Sequence, residues 1–378
     1  MMETKIFEIN EPGFQTTIQD LGRYGFQNIG VPVSGPMDTF SFKAANILLN
    51  NPLNCACLET TLVGPKLTAL SNALIAITGA KSKVKINDEE IELWKPTEIT
   101  KGDVISFENS TKGIINYIAI KGGIKVPLIM NSRSTYLTGK FGGEEGSTLK
   151  TGNIIHRYID VNENEFIKTV FPEGFEYIKP SNPLELRILV TNTSNKFSLE
   201  SIAKLWESTY TISLSSNRIG YRLNGPNINH INNADIISSG NEFGAIQIPG
   251  DGQPIVLMAD RGTTGGYSKI GSVITTDISK LAQAGPNNKI TFRPVSLNEA
   301  MDILLNNDGV LKSLAARVTG QDKNIRIIYA NEDYEVSDAN GKNITDSNKI
   351  KDDSQSSSQK YKVEYDGEIY ELDVEIYL

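Results

Sequence analysis

Short apolar stretches, rich in β-branched side chains and parted by turn residues, recur along most of the chain. LETTLVG, ALIAITG, KVKIN, EIELW, DVISF and INYIAI follow one another between residues 58 and 120. Such stretches predict strands joined by hairpins. A further strand is expected at residues 5–9, closed by the turn Glu11-Pro12-Gly13, and others at LRILVT and KITF in the second half. LKTGNII repeats the logic of TKGDVIS, a glycine turn feeding a strand. Helical spacing is rarer. Residues 37–49 place Phe40, Ala44, Ile47 and Leu48 close to one helical face, start at Asp38 and stop at Asn50-Asn51-Pro52. Residues 198–208 and 276–284 predict two more helices. The capping box SLNE at Ser296 launches a last one toward Val318, with a break expected at Asp308-Gly309. The pattern predicts a mainly β chain with a few helices.

Four stretches interrupt this pattern with glycines and polar side chains. The densest is residues 253–271, QPIVLMADRGTTGGYSKIG. Its apolar run from Ile255 to Ala259 predicts a buried strand, which is a rigid mount for Asp260 and Arg261. A loop from Gly262 to Gly266 follows, with Thr263, Thr264, Gly265 and Gly266 offering hydroxyls and close backbone approach, then Tyr267 and Lys269. Gln253 opens the stretch. The plainer alternative is an Asp260–Arg261 ion pair pinning a glycine turn. Residues 15–38 predict a long loop carrying Gln19, Asp20, Arg23 and Ser34, a length that is usually functional; its plain alternative is a surface loop in which Asp20 and Arg23 pair. Residues 132–146 supply Arg133, Tyr136 and Lys140 as donors, and residues 215–226 supply Arg218, Tyr221 and Arg222. The four clusters hold Asp, Arg, Thr and Tyr but no histidine. That set suits binding of a planar polar group, with a carboxylate as base.

Charge and composition narrow the partners. The 378 residues carry a formal charge of −8 with no basic stripe, which argues against a nucleic-acid partner. The N-terminus lacks the basic start and apolar core of a signal peptide, and no apolar run reaches bilayer length, so no membrane partner is expected. Cys55 and Cys57 form one C-x-C, a poor geometry for a bridge, which points to a reduced cytoplasmic setting. Walker A, G-x-G-x-x-G, H-E-x-x-H and G-x-S-x-G patterns are absent. His156 and His230 stand alone, so no metal is assigned.

TTIQDLGRYGFQNIGVPVSGPMD, LETTLVGP, SRSTYLTGKFGG, SNRIGYRLNGP and DGQPIVLMADRGTTGGYSKIG lie in one collinear order. Together they resemble the allophanate hydrolase subunit 2 family. It is also called KipA-like, and it includes the 5-oxoprolinase C-subunit and the carboxyltransferase region of urea carboxylase. The resemblance implies cyclophilin-like β-barrel subdomains and a KipI-like subunit 1 as partner. It implies first a 5-oxoprolinase-like hydrolase subunit. There the KipI-like and a LamB/YcsF-like subunit join in opening the 5-oxoproline lactam to glutamate, with ATP used by the complex and no nucleotide motif in this chain. One alternative is a biotin-dependent carboxyltransferase acting on a urea-like or amide nitrogen, with biotin on a separate carrier. A non-enzymatic alternative is a regulator that binds a KipI-like kinase inhibitor. Both chemistries develop negative charge on an amide oxygen. Thr263, Thr264 and the Gly265 and Gly266 amides are the candidate donors to it, Asp260 the base or orienter. Arg218, Arg222 or Arg133 is the candidate grip for a substrate carboxylate. Family members often carry Gln at Gly262 and Pro at Ser268, so this chain departs from them inside the candidate site.

The expected domains are a β-rich subdomain over residues 1–180 and a barrel subdomain over 181–320. A short extension over 321–344, a polar linker over 345–360 and a hairpin over 361–378 follow. The first boundary is placed among the prolines of residues 172–183. The hairpin alternates Tyr361, Val363 and Tyr365 with Tyr370, Leu372, Val374 and Ile376 about Asp366-Gly367. It resembles the opening strands of a biotinyl carrier domain without the Met-Lys-Met that carries biotin, so biotinylation of this chain is not expected.

Overall fold

The computed structural model describes residues 3–158, 182–190, 196–319, 357–365 and 368–376. Its strand Ile115–Ile120 is buried at every position. Side chains alternate across a strand, so a run without a polar face must be covered on both sides. Ile118 and Ile120 face one core, while Ile115, Tyr117 and Ala119 face another. This strand is the middle of a five-stranded sheet in the order Gln15–Gln19, Cys57–Thr61, Ile115–Ile120, Ala73–Gly79, Pro96–Ile99. On one side lies a six-stranded sheet in the order Ile154–Tyr158, Glu3–Glu11, Lys66–Ala69, Val104–Ser110, Ser82–Ile86, Glu89–Ile91. Ile6, Ile9, Leu67, Val84 and Ile105 of that sheet meet Ile18, Leu58, Ile75, Ile77, Ile118 and Ile120 in the first core.

The second core joins the other face of the five-stranded sheet to a closed barrel through helix α1, Thr39–Leu48. Eight of its ten residues are buried, and a helix covered nearly all round belongs inside a fold. Burial of Phe40, Phe42, Ile47 and Leu48 contributes about 1.5–3 kcal/mol each. Asp38 caps it, accepting from the Ser41 amide at 3.1 Å. The barrel runs Leu184–Val190, Lys269–Val273, Ala245–Gln247, Ile255–Leu257, Gly220–Asn224, Tyr210–Ile212 and Lys289–Pro294, closing with a parallel pair between the last strand and the first. Helix α2 (Leu199–Glu207) packs on the closing strand; α3 (Thr275–Ala282) and α4 (Leu297–Val318) pack on each other and on α1. The expected mainly β chain with few helices is what forms.

Two expectations are corrected here. Helix α4 runs unbroken through Asp308-Gly309. A glycine inside a helix costs about 1 kcal/mol, less than burial of Leu311, Leu314 and Val318 beyond it contributes. Residues 15–38 are not one loop: Gln15–Gln19 is a strand paired with Cys57–Thr61, and the loop proper begins at Asp20. Both cysteines are free, as expected. No helix among the described residues is long and apolar enough to cross a membrane.

Asp277, at the start of α3, ties that helix to the barrel. Arg187 donates to it from its backbone amide (2.9 Å), Nε (2.8 Å) and Nη2 (2.6 Å), and Lys280 lies 2.9 Å away. Burial pushes this carboxyl up, but Arg187 and Lys280 outweigh it and hold it below the usual range. The unfolded chain therefore binds this proton more readily than the native one. The contribution is present above the unfolded value near 4 and is lost as pH falls through the native value. Asp277→Asn is expected to cost about 2–4 kcal/mol at pH 7 and much less at pH 3. Urea titrations at the two pH values check this; an equal loss at both would refute it.

Residues 1–322 form one compact unit and 323–378 a second. In the second, Ser357–Tyr365 and Glu368–Ile376 pair antiparallel in unbroken register, Tyr361 opposite Leu372 and Val363 opposite Tyr370. The expected linker gives up its last four residues to this strand, since pairing begins at Ser357. The turn at Asp366-Gly367, the extension over 321–344 and most of the proline-rich boundary lie outside the described residues.

Candidate functional site

Arg218 precedes the barrel strand Gly220–Asn224, and Asp260 follows Ile255–Leu257. The two strands are antiparallel neighbours with Gly220 opposite Leu257, so both side chains emerge at one end of the pair. The Asp260 amide donates to the Arg218 carbonyl at 2.8 Å. The Arg218 guanidinium then grips both Asp260 oxygens, Nε at 2.9 Å and Nη2 at 3.2 Å. Its Nη1 donates to Glu59, from the five-stranded sheet, and its Nη2 to the Gly35 carbonyl at 2.6 Å. One arginine thus joins the barrel, the sheet and the loop before α1.

The network continues through the sheet. Glu59 Oε2 accepts from the Tyr117 hydroxyl at 2.7 Å and the Met37 amide at 2.9 Å, and the Tyr117 oxygen accepts from the Asp38 amide at 2.9 Å. Gln283, at the end of α3, donates to Asp38 at 2.8 Å. Glu59 is 2 %, Asp260 4 % and Arg218 8 % exposed, so these charges lie in a medium where an unpaired ion is costly. Burial pulls the Arg218 pKa down, but Asp260 and Glu59 outweigh it and raise it. Burial, then Glu59, push the Tyr117 phenol well up.

The plainer readings of both acid–base pairs fail in detail. Asp260 pairs with Arg218, not with its neighbour Arg261. Adjacent residues leave a strand end in different directions, and Arg218 arrives across the ladder. Asp20 does not pair with Arg23 either. Its carboxylate accepts from the Ser132 and Ser134 hydroxyls at 2.6 Å each, the Gly22 amide at 3.0 Å and the Arg133 amide at 2.6 Å. It is a hub that fastens the loop after Gln19 to the second glycine-rich cluster. Gly142 completes the junction, at φ +73° with Arg23 and Ser134 so close that any Cβ would collide.

Arg261 faces another way. Its Nε donates to the Asn241 carbonyl at 3.0 Å, its guanidinium lies 5.3 Å from the Phe243 ring centre, and Tyr24 and Asp260 are near enough to act on its charge. Asn241 also holds the following turn, through its amide to Thr263 (2.9 Å) and its side chain to Gly262 (3.0 Å). Beyond that turn the expected open loop is instead a strand, Thr264–Tyr267, paired with Asp235–Gly240. Gly265 packs under the side-chain amides of Gln247 and Asn241, which a Cβ there would displace. Thr264 and Tyr267 are exposed. Lys269 donates to the Gly240 carbonyl and lies 3.4 Å from Glu242.

Several sequence candidates lie elsewhere. Tyr221 is buried, its hydroxyl on the Ala282 carbonyl at 3.2 Å, and its strand neighbour Arg222 is exposed. Gln253 braces Gly225 at 2.9 and 3.0 Å, at the opposite end of Ile255–Leu257 from Asp260. Tyr136 packs edge-on to Phe141, Lys140 is exposed, and Arg133 donates to the Tyr158 hydroxyl at 2.8 Å. Brought together are Asp20, Arg23 and Ser34 of the first cluster, Arg218 of the third, and Asp260 with Arg261 of the fourth. Sequence reasoning missed Glu59, Tyr117, Asn241, Phe243 and Gln283. Only Glu59 had a signal, as an acid inside the otherwise apolar and hydroxyl-bearing LETTLVGP.

The comparisons with known proteins agree with this architecture. The family model of the carboxyltransferase domain, subdomain A and B, matches residues 29–294. The 5-oxoprolinase C-subunit of Haemophilus influenzae is 32% identical over 296 residues, which cover 78% of this chain and 93% of that protein. The urea amidolyase of Lachancea kluyveri is 33% identical over 334 residues, 82% of this chain but 18% of that protein, so the chain spans under a fifth of that much longer relative. The crystal structure of Kluyveromyces lactis urea carboxylase superposes with a TM-score of 0.78 at 26% identity, covering 89% of this chain and 33% of that one.

Proposed function

The chain belongs to the carboxyltransferase-domain family, and from that premise we propose that it is the counterpart of the 5-oxoprolinase C-subunit in a lactam-hydrolysing complex. The observation that carries this reading is coverage. The alignment with the 5-oxoprolinase C-subunit takes in 93% of that protein and 78% of this chain, whereas the urea amidolyase alignment takes in 18% of that relative. The geometry suits the chemistry. Opening a lactam places negative charge on its oxygen, and Arg261, with Thr263 on the turn that Asn241 holds and Thr264 at the start of the strand after it, supplies donors on the partly open side of the site. Asp260 has both oxygens on Arg218, so it serves the site by holding that arginine and not as the base. ATP enters through the complex, whose other members on this reading are a KipI-like and a LamB/YcsF-like subunit. The setting is the cytoplasm.

The test is reconstitution. The chain with both partner subunits, ATP and 5-oxoproline is expected to release glutamate, and the chain alone to release none. Silence of the full set would sink the reading, and substantial turnover by the chain alone would refute the division of labour. A second reading, carboxyl transfer from a separate biotin carrier to an amide nitrogen, draws on the urea carboxylase superposition. Lys360 and Lys362 of the hairpin lie within the strand Ser357–Tyr365, not at a turn where a carrier presents its lysine. Transfer from carboxybiotin to urea by the same preparation would put this reading first.

A further inference from the structure

Arg23 is wholly buried, yet no carboxylate among the described residues bonds to it. Its Nε and Nη2 donate to the carbonyls of Ile129 (3.0 Å) and Ser134 (2.8 Å), and its guanidinium lies 4.8 Å from the Phe141 ring centre. Nη1 is buried without a partner. Burial lowers the Arg23 pKa, and Asp20 and Asp260, acting through space, only partly oppose it. A buried cation whose direct partners are all neutral is costly unless something else completes it.

Two more unpartnered atoms lie on the same segment. Ser34 is 5 % exposed, sits at φ 57°, and its Oγ has no partner. Its chain runs beside Arg23, whose amide donates to the Val33 carbonyl at 2.6 Å. Gln19 Oε1 is the other. The Gln19 amide donates to the Thr135 carbonyl at 3.3 Å, next in sequence to the carbonyl that Arg23 holds. The unmet set is a cationic N–H, a hydroxyl and an amide acceptor. An anion beside an N–H group would satisfy all three.

We propose that Arg23 and Ser34 hold a substrate carboxylate, with Gln19 accepting from an N–H on the adjacent carbon. The ligand class, a carboxylate next to an amide N–H, follows from these atoms; its identity as 5-oxoproline rests on the function proposed above. In 5-oxoproline the carboxylate and the lactam N–H share one carbon, whereas urea has no carboxylate. Arg23 and Ser34 then determine specificity, and the turn after Asp260 serves the lactam oxygen.

Ser34→Ala is the clean variant. Its Oγ bonds to nothing in the protein, so its removal leaves the fold intact, and alanine keeps the same Cβ at positive φ. Calorimetric titrations are run on the full-length chain, alone and with the two partner subunits. The ligands are 5-oxoproline, 2-pyrrolidone (the same lactam without carboxylate) and glutarate. 5-Oxoproline is expected to bind at least about 10-fold more weakly to Ser34→Ala and to lose binding in Arg23→Gln. 2-Pyrrolidone is expected to bind far more weakly than 5-oxoproline and to be indifferent to Ser34→Ala. Glutarate binding that depends on Ser34 and Arg23, without 5-oxoproline binding, would keep the carboxylate seat and remove the oxoprolinase reading. Equal binding of 5-oxoproline and 2-pyrrolidone, or wild-type binding by Ser34→Ala, would overturn the proposal. So would the absence of Ser34-dependent carboxylate binding in either preparation.

Discussion

Arg218→Ala is expected to lower the stability of the compact unit by about 3–5 kcal/mol, because it leaves two buried carboxylates without their shared counter-charge. Glu59 and Asp260 are 2 % and 4 % exposed, and water cannot take the place of the guanidinium without opening the seam between sheet and barrel. The same residue also loses its bond to the Gly35 carbonyl, which anchors the loop before α1. The thermal midpoint should fall by roughly 4–7 °C for a unit of this size. Asp260→Asn should cost less, about 1–3 kcal/mol, since Arg218 keeps Glu59 and one amide oxygen still accepts. Urea and thermal unfolding of both variants measure this. If Arg218→Ala unfolds within about 1 kcal/mol of the wild type, the network is not what holds the two halves together.

Arg261→Gln should show the opposite signature. The wild-type guanidinium bonds only to backbone carbonyls and a ring face, at 9 % exposure on the open side of the site, so glutamine leaves no buried carboxylate unpaired. Stability should fall by about 1–2 kcal/mol, since glutamine replaces only part of the bonding to two backbone carbonyls. In the reconstituted complex, kcat should fall by roughly 10²–10³-fold, the cost of removing one donor aimed at a developing oxyanion, with KM changed little. Steady-state kinetics beside a thermal midpoint separate the two cases. A folded Arg261→Gln complex with near-normal kcat would end the claim that this side chain serves the reaction. The contrast with Arg218 is the useful part, because both arginines stand beside Asp260 and only one is locked between carboxylates.

The chain's periodicities carried most of the fold. Short β-branched runs parted by turn residues marked most strands of both sheets, and the structure shows one of them, INYIAI, to be covered on both faces. The Asp38 and Ser296 caps marked two helix starts because a side-chain oxygen at that position satisfies an amide of the first turn. The one false break, at Asp308-Gly309, came from local propensity, which burial of the next two turns overrides. Three of the four glycine-rich polar clusters also hold strands, Gln15–Gln19, Gly220–Asn224 and Thr264–Tyr267.

Partner choice was the tertiary structure's to decide. Sequence adjacency suggested Asp260 with Arg261 and Asp20 with Arg23, and both pairings are replaced by longer-range ones. Arg218 reaches Asp260 because an antiparallel ladder places Gly220 opposite Leu257, and it reaches Glu59, 159 residues away, because the barrel closes onto the sheet. Register and docking fix those meetings, and neither leaves a local trace in the sequence. The same holds for Arg23: an arginine in a loop reads as solvated until the fold buries it, and only then does its Nη1 stand without a partner.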